Sequence, residues 1–184
     1  MNNSIYLQPF SFESTDHLLA LFRFRNSEEY ISYCTGRTLV DYELFLDEIE
    51  IDFNRDKHSQ SMILHKQYGI VGTVWSYNYN INDNYVYSSI FIENSYIKHG
   101  FGPSALLKFC DYLFESTKLY KIYFEVYEYN SHSIKILSRV AECEGVFKKQ
   151  KLHNSARFDV YRFAFYGDTI IKWKNKHDGS HKFV

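Results

Sequence analysis

Between residues 61 and 93 three strand-like runs follow one another almost without pause: SMILHK, GIVGTVWSYNYN and NYVYSSIFIE. Only Gln67–Tyr68–Gly69 and the stretch 80–84 separate them, and both are rich in turn-forming residues. Strands this close have no room for a crossover helix, so they must form an antiparallel meander. That excludes an all-parallel sheet. Around the meander, SIYLQPF reads as an opening strand and HLLALFRFR as a helix that Asp16 can cap. Ser27 can cap a brief second helix, EEYISYC. A longer acidic helix is expected over 38–53, with Tyr42, Phe45, Ile49 and Phe53 on one face. After the meander come a glycine-led helix, the strand KIYFEVY, and a helix capped by Asn130 or Ser131 that runs to about Val140. GVFKKQKL and RFDVYRFAFY read as a closing hairpin, and KNKHDGSHKFV as a frayed tail over 174–184. The order β-α-α-β-β-β-α-β-α-β-β predicts a mixed α/β sheet.

The glycine segment, YIKHGFGPSALLKF from Tyr96 to Phe109, carries the first chemical signal. Gly100 and Gly102 stand just ahead of Pro103, which suits a first helical turn because its missing N–H would be unpaired there. Ala105, Leu106, Phe109, Cys110 and Leu113 then mark one apolar helix face. Bare backbone at the positive end of a helix makes an anion cradle, most often for phosphate. GFGPSA also satisfies the dinucleotide fingerprint G-x-G-x-x-A, with Glu125 on the next strand. The fingerprint needs its first glycine at a strand end, whereas NSYIKH intervenes. The preceding strands are a meander and too little chain follows Glu125 to complete a doubly wound sheet, so a nicotinamide cofactor is not expected.

The 184 residues suit one domain, with a core from about 5 to 166. A net charge of −1 without a basic stripe argues against a nucleic-acid partner. Cys34, Cys110 and Cys143 have neither CxxC spacing nor an even count, which points to reduced thiols in a cytoplasmic protein. The eight histidines show no metal-ligand spacing, so no metal site is expected. No secretory signal layout and no bilayer-spanning apolar run is present, so no membrane partner is expected either.

Four pieces, in order and spacing, resemble the GNAT superfamily of acyl-CoA-dependent N-acyltransferases, nearest its ribosomal-protein, spermidine and amino-sugar branches. FRFRNSEEY is similar to the Arg-Asn segment ending the first helix. YIKHGFGPSAL stands in place of the Gln/Arg-x-x-Gly-x-Gly/Ala pyrophosphate loop. KIYFEVYEYNSHSIKIL resembles the strand-then-helix stretch, and EGVFKKQKLHNSARFDVYRFAF the closing hairpin. The sequence departs at Ile97 and Lys98, where the family has Gln/Arg and Gly, at Leu137, where it usually has Tyr, and at Ala141–Glu142.

The resemblance implies a mostly antiparallel sheet flanked by helices, with one splayed parallel strand pair, and acetyl-CoA as co-substrate. Backbone N–H groups around Phe91, Ile92 and Glu93 would hold the pantetheine arm. Those of His99, Gly100, Phe101 and Gly102, with Ser104 and Ala105, would take the pyrophosphate, and Lys98 and His99 would add positive charge. Asn130 and Ser133 would reach the pantetheine or cap their helix. Glu125 precedes Val126 as in the family's Glu-Val pattern and is the expected base; Glu93 and Glu128 are lesser candidates, and Ser138 is the nearest hydroxyl to relay a proton. The acceptor expected is a primary amine of a small molecule (an amino sugar, polyamine or aminated antibiotic), drawn by the carboxylates of 38–53. Two alternatives stand beside it: a protein N-terminal acetyltransferase, and a non-catalytic acyl-CoA-binding module. The resemblance leaves room for a homodimer.

Overall fold

The computed structural model describes residues 4–35, 38–55 and 59–178. Its strands are β1 (Ile5–Pro9), β2 (Ser59–His65), β3 (Gly69–Asn80), β4 (Tyr85–Ile92), β5 (Lys121–Tyr127), β6 (Glu142–His153) and β7 (Ala156–Tyr166). Its helices are α1 (Thr15–Arg25), α2 (Glu28–Tyr30, continued by a π turn to Thr35), α3 (Tyr42–Arg55), α4 (Phe101–Ser116), α5 (Ser131–Leu137) and α6 (Gly167–Asp178). The strands join in the order β1-β2-β3-β4-β5-β7-β6. β4 and β5 pair in parallel; β1–β2, β2–β3, β5–β7 and β6–β7 are antiparallel. The mixed, mostly antiparallel sheet expected from the sequence is therefore present. The β4–β5 ladder covers only Tyr85↔Lys121 to Tyr87↔Tyr123, although β4 runs on to Ile92 and β5 to Tyr127. Two parallel strands that stop pairing this early are the splayed pair.

The chain divides into two compact units, residues 1–79 with 89–109 and residues 80–88 with 110–184. In the N-terminal unit, Ala20, Leu21, Phe24, Phe45, Met62 and Phe91 form one buried cluster. The cap of α1 is Ser14 and not Asp16: Ser14 accepts the His17 N–H at 3.3 Å, and Asp16 lies in the first turn. An acidic side chain there still favours the helix through its positive end. Ser27 caps α2 as expected. α3 starts at Tyr42, four residues later than expected, because other bonds claim the preceding backbone. Asn26 donates to the Val40 carbonyl at 2.8 Å and accepts the Val40 N–H at 3.0 Å. Arg25 donates to the Thr38 carbonyl at 2.9 Å, and Asp41 then caps the helix at the Leu44 N–H. Tyr42, Phe45 and Ile49 pack on the core, while Phe53 meets Phe10 and Phe12.

The C-terminal unit is built on the β5–β7–β6 ladder, with Ile122, Phe124, Val126, Phe163 and Phe165 buried. α6 continues past residue 174, where a frayed tail is expected from the sequence, as far as Asp178; residues 179–184 lie outside the described residues. Its anchors are Ile170 and Trp173, both buried, with Trp173 stacked on Phe165 at 5.7 Å. α5 ends at Leu137, three residues before the expected Val140, in a turn where the Val140 and Ala141 N–H groups both return to the Leu137 carbonyl.

Candidate active site

The N-terminal unit holds most of the residues expected to bind the cofactor. A 3-10 turn over Asn94–His99 leads from β4 to Gly100, whose φ of 72° is left-handed. Glycine adopts that conformation without strain, and it lets the chain swing directly into α4. Gly102 differs, because neither its conformation nor its packing demands glycine: an added Cβ would meet only Ile92 Cγ1, at 3.5 Å. A side chain is missing there where the protein itself has room for one. The first four N–H groups of a helix have no partner within the helix, and Pro103 removes one of these donors. Beside them the Ser104 hydroxyl is buried without any hydrogen-bond partner, the one such side-chain atom among the described residues. An unmade bond of this kind costs about 1–3 kcal/mol, so it marks a place where a ligand acceptor fits. Lys98 and His99 are exposed in the turn before it, and Ala105 is buried at the base. The donor set of this cradle suits a pyrophosphate.

Of the strand-end groups expected to hold pantetheine, the Glu93 N–H is already donated to the Val71 carbonyl at 2.9 Å. That bond takes the Glu93 N–H out of the role. β3 and β4 approach closely here because Gly72 has no side chain: a Cβ would lie 2.2 Å from the Phe91 carbonyl oxygen. The Glu93 carboxylate meets Arg23 at 3.1 Å, in the wall of a cavity of about 670 Å³ that Asp16, His17, Tyr68 and Tyr96 also line. Two carboxylates against one guanidinium leave that wall with an acidic excess. His17 is buried and its Nδ1 accepts the Ser11 N–H at 3.2 Å; burial lowers its pKa, against the pull of Asp16.

In the C-terminal unit, Glu125 stands on β5 directly across from Arg162 on β7. Its Oε1 accepts both the Arg162 Nη2 and Nε protons, at 2.7 and 3.1 Å. The guanidinium is caged by rings, with centroids at 4.4 Å for Phe147 and 5.4 Å for Tyr87 and Tyr123. A second network lies beside it: Glu144 accepts Lys121 at 3.1 Å, the Tyr123 hydroxyl at 2.8 Å and the Tyr166 hydroxyl. The Tyr166 phenol is pushed up to about 12, mainly by that bond to Glu144. Asn130 caps α5 through the Ser133 N–H at 3.2 Å. Ser138 lies exposed at the other end of α5, and Leu137, in the family's Tyr position, is buried. Glu128 accepts the Asp159 N–H at 3.0 Å and serves as a clamp between strands. Arg162 and Arg23, the partners of the two leading carboxylates, carry no signal in the sequence. Each pair is set by long-range packing, over separations of 37 and 70 residues, which no local pattern encodes.

A mixed sheet with a splayed parallel pair, followed by a glycine-led helix, is the architecture of the GNAT type of acyltransferase. A family model, the acetyltransferase (GNAT) domain, matches residues 5–141, and the chain belongs to that family. It is an acetyl-CoA-dependent N-acetyltransferase. Among solved structures, the chain is similar to spermidine N-acetyltransferase from Vibrio cholerae in complex with CoA and spermine. The TM-score is 0.83 at 17% identity, covering 92% of this chain and 99% of that one. Mutant forms of the Vibrio cholerae spermidine/spermine N-acetyltransferase SpeG match with a TM-score of 0.79 at 17% identity, covering 94% and 99%. The same enzyme in complex with manganese ions matches at 0.76 and 18%, covering 96% and 98%. No curated protein matches. Among the described residues no group of three or more His, Cys, Asp or Glu is placed to hold a metal ion, and no helix is long and apolar enough to cross a membrane.

Proposed function

We propose that the protein acetylates a primary amine of a small molecule, with polyamines as the favoured class, using Glu125 as base. The cradle carries the donor half of this reading: an unforced glycine at 102 and a partnerless buried hydroxyl at Ser104 stand at one helix start. Gly100 to Ala105 would hold the pyrophosphate, Lys98 and His99 would add charge, and Phe91 and Ile92 would offer backbone to the pantetheine. Asn130 and Ser133 share one bond as a cap, and their remaining polar groups are proposed for the pantetheine arm. Acetyl-CoA, when bound, supplies an activated thioester carbonyl.

The acceptor half rests on charge. α3 carries Glu43, Asp47, Glu50 and Asp52, while Glu48 is committed to Arg25 at 3.0 Å and Asp41 to the helix cap. The structural relative solved with spermine supports a polycation as acceptor. An alkylamine is almost wholly protonated at pH 7, and freeing it costs about 4 kcal/mol at roughly 1.4 per pKa unit. Glu125 takes that proton at Oε2, directly or through a water, and the freed nitrogen attacks the thioester carbonyl; the amide forms as the C–S bond breaks and the nitrogen gives up its second proton to solvent. The departing thiolate takes a proton from solvent, with Ser138 proposed as a relay; a thiol of pKa about 8.5 leaves tolerably without a dedicated acid. Thiol release from acetyl-CoA should be followed with spermidine, spermine, glucosamine, an aminoglycoside and free-N-terminal peptides. Turnover of polyamines is expected; turnover of peptides alone overturns the reading.

A further inference from the structure

Glu125 and Arg162 sit opposite each other in a ladder, and such a pair is ordinarily a modest contribution to sheet stability. Three features set this one apart. Both guanidinium protons converge on the same oxygen, Oε1, and among the described residues Oε2 has no hydrogen-bond partner. The pair is partly open, with side-chain exposures of 28% for Arg162 and 26% for Glu125. The guanidinium is itself immobilised from β4, β5 and β6 by Tyr87, Tyr123 and Phe147, all within the roughly 6 Å over which a ring face attracts a cation. A charge held by three rings and two hydrogen bonds has lost most of its freedom. A surface ion pair worth about 0–1 kcal/mol requires no such cage.

We infer that Arg162 is the positioning residue of the transfer reaction: it fixes the Glu125 carboxylate through Oε1 so that Oε2 is presented to the amine proton. This rests on the reading of Glu125 as base. Two N–H donors on one edge of the guanidinium fix the position of Oε1 from two directions, which a single-donor contact does not do. A general base gains its effect from being within hydrogen-bond reach in the right orientation, and a displacement of about 1 Å can cost on the order of a hundredfold. The same contact holds the carboxylate in place before an ammonium arrives. Phe147 is the nearest ring of the cage, 4.4 Å from the guanidinium, and needs no charge to act.

A double-mutant cycle separates positioning from structure, using the best acceptor of the amine panel. Arg162→Gln should lower kcat about tenfold, with the KM for acetyl-CoA within about twofold. In an E125Q background the same change should alter kcat less than about twofold, because the group being positioned is gone. Arg162→Lys should recover only part of the loss. Phe147→Leu keeps both charges and should lower kcat about two- to fivefold, which guards against a misfolded Arg162 variant. Full kcat in R162Q, or an equal tenfold loss in both backgrounds, overturns the inference and leaves Glu125 as base. Full kcat in E125Q, or no amine acetylated at all, removes the reading beneath it and the inference with it.

Discussion

The cradle assignment makes two glycines near the end of β4 behave in opposite ways. A Cβ at Gly102 meets nothing closer than Ile92 Cγ1 at 3.5 Å, and valine exceeds glycine in helix propensity by about 0.4 kcal/mol. Gly102→Val should therefore fold with a stability within about 0.5 kcal/mol of the parent. Its branched side chain, however, occupies the space that a phosphate needs to reach the first-turn N–H groups. Losing one or two such bonds to a charged acceptor, at about 1.5–3 kcal/mol each, weakens CoA binding on the order of a hundredfold. At a CoA concentration about a hundred times the parent Kd, the parent gains about 2.7 kcal/mol and the variant about 0.4. In a chain of this size each kcal/mol moves Tm by about 2–4 °C, so a shift of about 5–11 °C should shrink to about 1 °C. Gly72→Ala is the control. Its Cβ would stand 2.2 Å from the Phe91 carbonyl oxygen and 3.1 Å from Ile92 Cα, so backbone must move. That variant should lose on the order of 3 kcal/mol without ligand. Thermal denaturation with and without CoA reads every one of these changes. A Gly102→Val protein that keeps the full CoA shift refutes the cradle.

Glu125→Gln should cost about a hundredfold or more in kcat and regain rate as pH rises, since hydroxide then frees the amine, while CoA affinity is retained; stopped assays from about pH 6 to 10 test this. Glu48→Gln should destabilise the fold by about 3 kcal/mol in urea titrations, because Arg25 is 7% exposed and keeps its charge without its partner. Burial lowers the His17 pKa, so the folded chain favours the neutral ring. Its contribution is complete above the ordinary 6.5 and is lost as pH falls through the folded value; urea midpoints should drop below pH 6.5, and less so in His17→Gln. The raised Tyr166 phenol has the opposite window: its contribution holds below about 10 and is lost as pH rises through about 12. Alkaline unfolding followed by circular dichroism should shift accordingly in Tyr166→Phe.

What is legible in the sequence, and what is not, divides by the range of the forces involved. The meander follows from turn residues and periodicity, both local, and β2, β3 and β4 lie within two residues of where those signals place them. Helix starts are less legible, because Ser14 and Asp16 are both competent caps and only geometry decides between them. α3 begins late for a tertiary reason: Arg25 and Asn26 take the backbone of Thr38 and Val40 before the helix can. α6 escapes notice because its polar run conceals two anchors, Ile170 and Trp173, the latter seated against Phe165 of β7. The same limit governs the site. Gly100 and Gly102 announce a backbone conformation and a bare surface, which are properties of the residues themselves. The state of a carboxylate is a property of its neighbours. The Glu-Val pattern sets Glu125 apart from Glu93 and Glu128, but the sequence does not tell that the first faces a ring-caged arginine, the second a half-exposed arginine on a cavity wall and the third a backbone N–H. Each of the three has one carboxylate oxygen without a hydrogen-bond partner among the described residues, but only the other oxygen of Glu125 is held by a partner that rings on three strands hold still. A base that must meet a protonated amine in a set orientation needs that fixity. It is created by register between β5 and β7, a quantity no stretch of chain carries alone.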